Sequence, residues 1–409
     1  MRTRLWCVAL VLSSGSAPIS AQTVLSEADA LARLSSESPR VRAIRSAVDV
    51  AQAEVLAAGR WPNPRVTIDR ESVAGIRETI TMVAQPLPIT GRRSFEKSAA
   101  SALLDAATSR TDDEMRRARA DVRLAFADLA GAQTRERALM RARDRLQGLA
   151  DVLARREAAG EAAGFDRLRS EREVLDWEAD RVAASGERLR AQAALAAFFA
   201  GPVDPASLVA ADVAATRGTD LPSVDALIAR AETARGELIA LRHEIDSARF
   251  ALRAADRRAI PEPEVIAGTK SSTLSAALGR GVGSVLSLQA VIPLFDRGRP
   301  ERALAEARAS RAAAQLDAIR LRVRAEVAAL RTAVVERRAA AERYRSAVAS
   351  GAEVERIAEI SYEAGERGIL ELLDAYRSAS TAQIRQTTLD IAARQAEIEL
   401  EYVSGWEIP

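Results

Sequence analysis

Two similar halves make up the chain, and this internal repeat limits its possible folds more than any other feature. A helical pattern beginning near residue 28 ends at Trp61-Pro62-Asn63-Pro64, and one beginning near residue 224 ends at Ile260-Pro261-Glu262-Pro263. In both halves a β-like segment, a second Pro/Gly-rich segment and a long helical run closed by glycines follow in the same order. This order predicts two copies of one supersecondary unit.

The repeat predicts the domain organisation. The first repeat covers residues 22–201, a linker or equatorial segment covers 202–222, and the second repeat covers 223–409. Each repeat is expected to contain a helix, a β-hairpin, a very long helix and a return helix. The hairpin, long helix and return helix are predicted over 64–88, 92–160 and 165–200 in the first repeat, and over 263–293, 299–365 and 369–404 in the second.

Helix lengths indicate rods rather than a globular core. Each long helix would extend about 100 Å at the α-helical rise, whereas the helices predicted over 28–59 and 225–258 and the return helices are about half as long. We therefore expect long rods beside stacked half-length rods. Apolar residues at seven-residue spacing predict coiled-coil seams, namely Leu168, Leu175, Val182 and Leu189, and Ile384, Ile391 and Ile398.

Composition argues against an enzyme. The 409 residues include one cysteine, Cys7, one histidine, His243, and only 4% aromatic residues. One histidine and one cysteine leave no basis for a His-based or thiolate metal site, or for a His-centred triad. We therefore expect no cofactor, no metal site and no catalytic residue.

The N-terminus indicates export. Residues 1–21 combine Arg2 and Arg4, a short apolar stretch and a small-residue cleavage site ending at Ala21, as in a secretory signal peptide. Cleavage would remove Cys7, so no N-terminal lipid anchor is expected. It would also lower the 59 basic residues to 57, equal to the 57 acidic ones. A neutral mature chain argues against a nucleic-acid partner.

Two proline-bounded segments predict the membrane-embedded part. No later apolar run is long enough for a transmembrane helix, whereas 64–88 and 263–293 each have room for two strands of about 10 residues. Apolar and polar residues alternate in them, as at Leu286 and Leu288. Four strands are too few to close a barrel, and an open edge is unstable in lipid. Membrane insertion would therefore require several chains.

Three motifs resemble one known family. They are residues 85–92 (QPLPITGR), 293–299 (PLFDRGR) and, most specifically, 362–375 (YEAGERGILELLDA). With the repeat, they are similar to TolC-like outer membrane efflux factors. The resemblance implies a mainly α fold with long coiled-coil helices in a periplasmic α-barrel, and four strands per chain in a trimeric twelve-stranded outer membrane β-barrel. It also implies a periplasmic adaptor and an inner-membrane pump, of RND type, as partners.

The same resemblance implies the positions of an entrance and its contacts. In the family, acidic side chains narrow the periplasmic mouth and a Tyr/Arg pair helps to hold it closed. These roles fall on Glu371 and Asp374, and on Tyr362 and Arg367. Glu371 and Asp374 are three residues apart and share one helical face, so threefold symmetry would collect six carboxylates around one axis.

Glycines mark the two turns that follow the long helices. A chain reversal needs residues that tolerate a positive φ, and the family resemblance adds a contact with the adaptor at these tips. The glycines are Gly160, Gly164, Gly365 and Gly368.

The sequence therefore predicts an exported outer membrane channel of a tripartite efflux pump that conducts its cargo passively. The alternatives are a periplasmic adaptor and an exported coiled-coil scaffold. The two elbow motifs resemble the branch associated with cobalt-zinc-cadmium and copper pumps, which favours metal cations over drugs as cargo.

Overall fold

A computed structural model describes residues 23–160, 164–212, 220–273 and 279–407. The predicted signal peptide, with Cys7, lies outside the described residues.

Six strands and eight α-helices form the described chain. The first repeat contains β1 (Thr23–Leu25), α1 (Glu27–Ala32), α2 (Pro39–Ala58), β2 (Arg65–Val73), β3 (Ile76–Pro86), α3 (Arg92–Ala158) and α4 (Gly164–Ala196). A short 3-10 turn and β4 (Leu208–Ala210) follow. The second repeat contains α5 (Val224–Ala234), α6 (Gly236–Arg257), β5 (Pro263–Thr273), β6 (Arg280–Ala290), α7 (Arg299–Glu363) and α8 (Ile369–Ser404).

Four strands form one antiparallel sheet in the order β2-β3-β5-β6. Both repeats contribute a hairpin, and β3 of the first repeat pairs with β5 of the second over Arg77↔Thr273 to Pro86↔Glu264. The register puts Val66, Val83 and Leu288 on one face, where apolar residues are frequent, and Glu78 and Lys270 on the opposite face. β2 and β6 are the two edges of this sheet.

The helices form one layer of rods. α3 and α7 contain 67 and 65 residues, about 100 Å each by the helical rise. Beside the strands the rods pack in the order α2-α3-α6-α7, and at the other end in the order α4-α3-α8-α7. α2 and α4 therefore form one edge of the layer, and α7 forms the other. Among the described residues, none of the helices combines the length and apolar character needed to cross a bilayer.

Two helices predicted as continuous are interrupted. The helix predicted over 28–59 is α1 and α2, because the chain turns at Ser38 and restarts at Pro39, which lacks the N–H of a helix interior. The Ser38 hydroxyl donates to the carbonyl of Phe198, 3.3 Å away. The helix predicted over 225–258 is α5 and α6, since Arg235 has an extended backbone. The break brings Gly236 against α3, where an added Cβ would lie 2.8 Å from Cβ of Asp113.

One predicted seam is not used within the chain. Leu168, Leu175, Val182 and Leu189 are exposed on α4. α4 instead buries Trp177 and other residues offset by two from that seam. The seven-residue spacing is therefore correct for a coiled coil, but this apolar stripe has no partner in the described part of the chain.

Ion pairs join both repeats in the middle of the molecule. Arg123 of α3 contacts Glu27 and Glu401, with 2.5 Å between Arg123 Nε and Glu27 Oε1. Arg394 of α8 contacts Glu27 at 2.9 Å and Glu397 at 3.4 Å. Burial alone would raise the pKa of Glu27, but the hydrogen bonds and charges of Arg394 and Arg123 lower it below its ordinary value. The parallel pair β1-β4 lies in the same region and also links the N-terminus to the segment after α4.

Candidate functional site

Two helical turns form the end of the molecule opposite the sheet. Gly160 and Gly365 each follow a long helix with φ of 75° and 74°, in the left-handed region where glycine avoids a steric cost. The Gly365 N–H donates to the Tyr362 carbonyl at 3.0 Å, which helps to end α7. Gly368 has φ of −82°. The conformational argument from the sequence therefore applies to Gly160 and Gly365 and is wrong for Gly368.

The predicted entrance acids lie on one exposed face of α8. Glu371 and Asp374 are both exposed, whereas Leu372, Leu373 and Ala375 between and beside them are buried. This is the one-face arrangement expected from i, i+3 spacing. Neither carboxylate forms an ion pair within the described part of the chain.

Tyr362 and Arg367 are not brought together. Tyr362 is half-buried at the end of α7, with the guanidinium of Arg156 of α3 6.0 Å from its ring centroid. Arg367 is exposed on the turn, and its backbone N–H donates to the Ser361 carbonyl at 3.3 Å. Tyr362 therefore contacts the first repeat through an arginine that the motif did not indicate.

A buried apolar cluster joins the two helical hairpins above the turns. It includes Leu146 and Leu153 of α3, Trp177 of α4, and Leu372 and Tyr376 of α8. Both repeats contribute residues to the cluster, so the two helical hairpins pack against each other at this end of the molecule.

Arg145 of α3 contacts three residues of the second repeat around this cluster. Its guanidinium pairs with Glu355 of α7, and Nη2 donates to Oγ of Ser380 on α8 at 3.3 Å. It also lies 5.9 Å from the ring centroid of Tyr376. One arginine thus connects the first repeat to both helices of the second hairpin.

A second ion pair between the two repeats lies on the exposed face of α8 that carries Glu371 and Asp374. Arg377, three residues after Asp374, pairs with Glu173 of α4 at 2.5 Å. Nearby, Tyr376 donates its hydroxyl to Glu359 at 3.3 Å. Burial, followed by the charge of Glu359, raises the pKa of Tyr376 to about 12, so this hydroxyl remains a donor at neutral pH.

The sequence did not distinguish Arg145, Arg377 or Glu173 from the other charged residues. Arginine and glutamate occur along every rod, so only the packing of the two hairpins identifies the pairs that cross between them. The described residues include no group of three or more His, Cys, Asp or Glu side chains that could hold a metal ion. This end of the molecule can therefore present charge and hold helices together.

Comparisons with known proteins agree with this architecture. A family model described as "Outer membrane efflux protein" matches residues 227–405. The cobalt-zinc-cadmium resistance protein CzcC of Cupriavidus metallidurans is 23% identical over 361 residues, which cover 88% of this chain and 84% of CzcC.

Solved structures share the fold over nearly the whole chain. A membrane protein from Pseudomonas aeruginosa superposes with a TM-score of 0.77 at 19% identity, covering 93% of both chains. The outer membrane protein VceC of Vibrio cholerae gives a TM-score of 0.76 at 18% identity, covering 93% of this chain and 96% of VceC.

The paired rods and the four-stranded sheet agree with these matches, and nearly the whole chain shares the fold of the solved structures. The match to the outer membrane efflux protein family model covers the second repeat, from residue 227 to residue 405. The predicted fold of long paired helices with four strands in one sheet is confirmed, and the family model and the relative support the predicted family resemblance.

We expect the ion pairs of Arg145 with Glu355 and of Arg377 with Glu173 to hold the two helical hairpins together. An exposed ion pair contributes roughly 0.5 kcal/mol, so replacing both Arg145→Gln and Arg377→Gln should shift the balance between associated and separated hairpins by roughly fivefold. The measurement is single-channel conductance in planar bilayers, which should rise. Arg172→Gln is the control, because Arg172 pairs with Asp176 on its own helix. Equal conductance in the double variant and this control would contradict the role of the two ion pairs.

Proposed function

We propose that this chain forms a homotrimeric outer membrane channel of a tripartite efflux pump and is exported by the cleavable signal peptide at 1–21. An RND-type inner-membrane pump and a periplasmic adaptor deliver the cargo, and the channel conducts it passively through the periplasm and the outer membrane. The observation that carries this proposal is the position of the exposed apolar residues on the rods, most of which lie on the two edges of the rod layer.

Among the rods, the edge helices carry most of the large apolar residues that the single chain leaves exposed. Thirteen lie on α2, α4 and α7, against three on the inner rods α3 and α8. The edge residues are Val50, Leu56, Phe165, Leu168, Leu175, Val182, Leu189, Leu304, Leu321, Val335, Val354, Ile357 and Ile360. Exposed apolar residues in such quantity favour a protein interface. A neighbouring copy that places its α7 against α2 and α4 would bury residues of both edges.

The sheet supports the same arrangement. β2 and β6 each have a paired strand on one side only within the described chain. Backbone N–H and C=O groups need partners in a bilayer, and β6 of one copy beside β2 of the next would supply them antiparallel. Three copies would give a closed sheet of twelve strands, in contact with outer membrane lipid through its apolar face.

Charge on the apolar edge should prevent assembly without unfolding the chain. Leu175 and Val182 are exposed to 65% and 57% in the single chain, so Leu175→Arg with Val182→Arg removes little internal packing but puts two cations into the proposed interface. We expect the double variant to be monomeric by light scattering and to keep its helical circular dichroism. Met140→Arg, at an exposed apolar residue of the inner rod α3, should remain trimeric. A trimeric double variant would contradict the edge interface.

The entrance belongs at the turns, with Glu371 and Asp374 as its acidic ring. Their shared exposed face on α8 supports this role, whereas Tyr362 and Arg367 would have to act through contacts with other groups, because they do not contact each other. Arg377 on the same face compensates part of the negative charge within each chain.

Neutralising the ring should change ion preference. In Glu371→Gln with Asp374→Asn, up to six carboxylates are lost from the trimer, so we expect the cation-over-anion permeability ratio in planar bilayers to fall. The control is Glu114→Gln, at an exposed position on α3 nearer the strands. Unchanged selectivity in the double variant would remove the acids from the entrance.

The helical tips are the proposed adaptor contact. Gly160 and Gly365 end the long helices in open space, with no atom within 4 Å of a Cβ added at either position. Phe165 and Leu370 are exposed just beyond the two turns. Small residues beside exposed apolar ones would let an adaptor hairpin approach the backbone closely.

Metal cations are the proposed cargo. Support comes from the elbow motifs and from the similarity to a protein named for cobalt, zinc and cadmium resistance. Deleting the gene should lower tolerance to these metals and raise their cellular content, and the intact gene should restore both. Unchanged metal tolerance together with lost drug tolerance would replace metals by drugs as the cargo.

A further inference from the structure

Each repeat has an elbow between its second strand and its long helix. The inner elbow is residues 85–92 and the outer elbow is residues 292–299. Both contain eight residues, with Pro-Leu at the second and third positions and Gly-Arg at the last two. The glycines, Gly91 and Gly298, have φ of 74° and 77°, so the backbone turns in the same sense at both elbows.

The inner elbow binds the second repeat through hydrogen bonds and an ion pair. The Leu87 N–H donates to the Pro263 carbonyl at 2.8 Å. The Thr90 hydroxyl donates to Glu262 at 2.7 Å, and Arg92 Nη2 lies 2.9 Å from Oε2 of the same carboxylate. All these partners belong to the Pro-Glu-Pro segment at 261–263, where β5 begins. The contact therefore continues the β3-β5 pairing below the sheet.

The outer elbow has no such partner in the described chain. Leu294, Arg297 and Arg299, which correspond to Leu87, Thr90 and Arg92, are all exposed. Phe295 is 98% exposed, the highest value among the exposed large apolar side chains. No ion pair involves Arg299 within the described residues.

The segment that corresponds to 261–263 is also free. It is Pro62-Asn63-Pro64, directly before the edge strand β2, and both Asn63 and Pro64 are exposed. The Gln85 amide donates to the Pro62 carbonyl at 3.1 Å. This hydrogen bond holds the segment beside β3, so a binding partner would meet it already in position.

We propose that the outer elbow of one copy binds the Pro62-Asn63-Pro64 segment of the next copy, with the Arg299 guanidinium donating to the Asn63 amide oxygen. This contact between chains would have the same form as the contact of the inner elbow with residues 261–263 within one chain. It rests on the proposed trimer, because β6 must lie beside β2 of a neighbour for the two segments to meet.

A second copy of the chain explains both free surfaces at once. A lipid could cover Phe295, but it would not explain why an unpaired arginine and an exposed amide occupy the positions that form an ion pair in the other repeat. The difference between the repeats is also specific. Asn63 replaces Glu262, so the contact between chains is a hydrogen bond to a neutral amide and should be weaker than the ion pair within the chain.

Crosslinking tests this contact directly. In a Cys7-free background, Asn63→Cys with Arg299→Cys should be joined by a short bis-maleimide into species of two and three chains on a denaturing gel. The matched control is Arg92→Cys with Glu262→Cys, which should react within one chain without a mass increase. A trimer that forms but gives no intermolecular product from the first pair would overturn the elbow contact and leave the proposed function intact. Absence of any trimer would overturn both.

A charge substitution provides an independent readout. Asn63→Glu copies the ion pair of the inner elbow into the interface, so the fraction of trimer surviving a dissociating detergent should rise roughly threefold. Arg299→Glu should lower it, and adding Asn63→Lys to Arg299→Glu should restore it. No gain with Asn63→Glu, or no rescue by the second charge, would contradict contact between these two residues.

Discussion

Unpaired backbone groups at the two edges of the sheet are the constraint on which the rest of the structure depends. Within the described chain, β2 and β6 each lack a neighbour on one side. A strand edge left open in a bilayer carries N–H and C=O groups that have no water to bind, and an exposed edge in water invites uncontrolled pairing. In the proposed trimer, β6 of one copy would pair with β2 of the next and satisfy both edges.

Because the chain contains an internal repeat, the same kind of contact between repeats can form within one chain and between neighbouring chains. Within the chain, α3 packs against α6 and α8, and β3 pairs with β5. In the trimer, α7 would meet α2 and α4 of the next copy, and β6 would meet β2. The contact from first to second repeat inside a chain thus becomes the contact from second to first repeat between chains. The exposed apolar residues of α4 and α7 lie where this arrangement requires them.

The repeat, the helix lengths and the strand count could be read from the sequence because each depends on local pattern. The break at Ser38-Pro39 had a local signal in the proline. The break at Arg235 depends on packing, because it lets Gly236 approach α3. The exposed face shared by Glu371 and Asp374 followed from helical spacing. The ion pairs of Arg145 and Arg377 could not be predicted, since the packing of the two hairpins decides which arginine meets which carboxylate.

The stoichiometry of the purified full chain in mild detergent tests the central claim most directly. Native mass spectrometry should give a single assembly of three mature chains, because three four-stranded sheets and three rod layers close on one another through like contacts. A stable monomer or dimer under conditions that preserve helical content would contradict closure between copies, and with it the account of the sheet edges, the edge helices and the elbows.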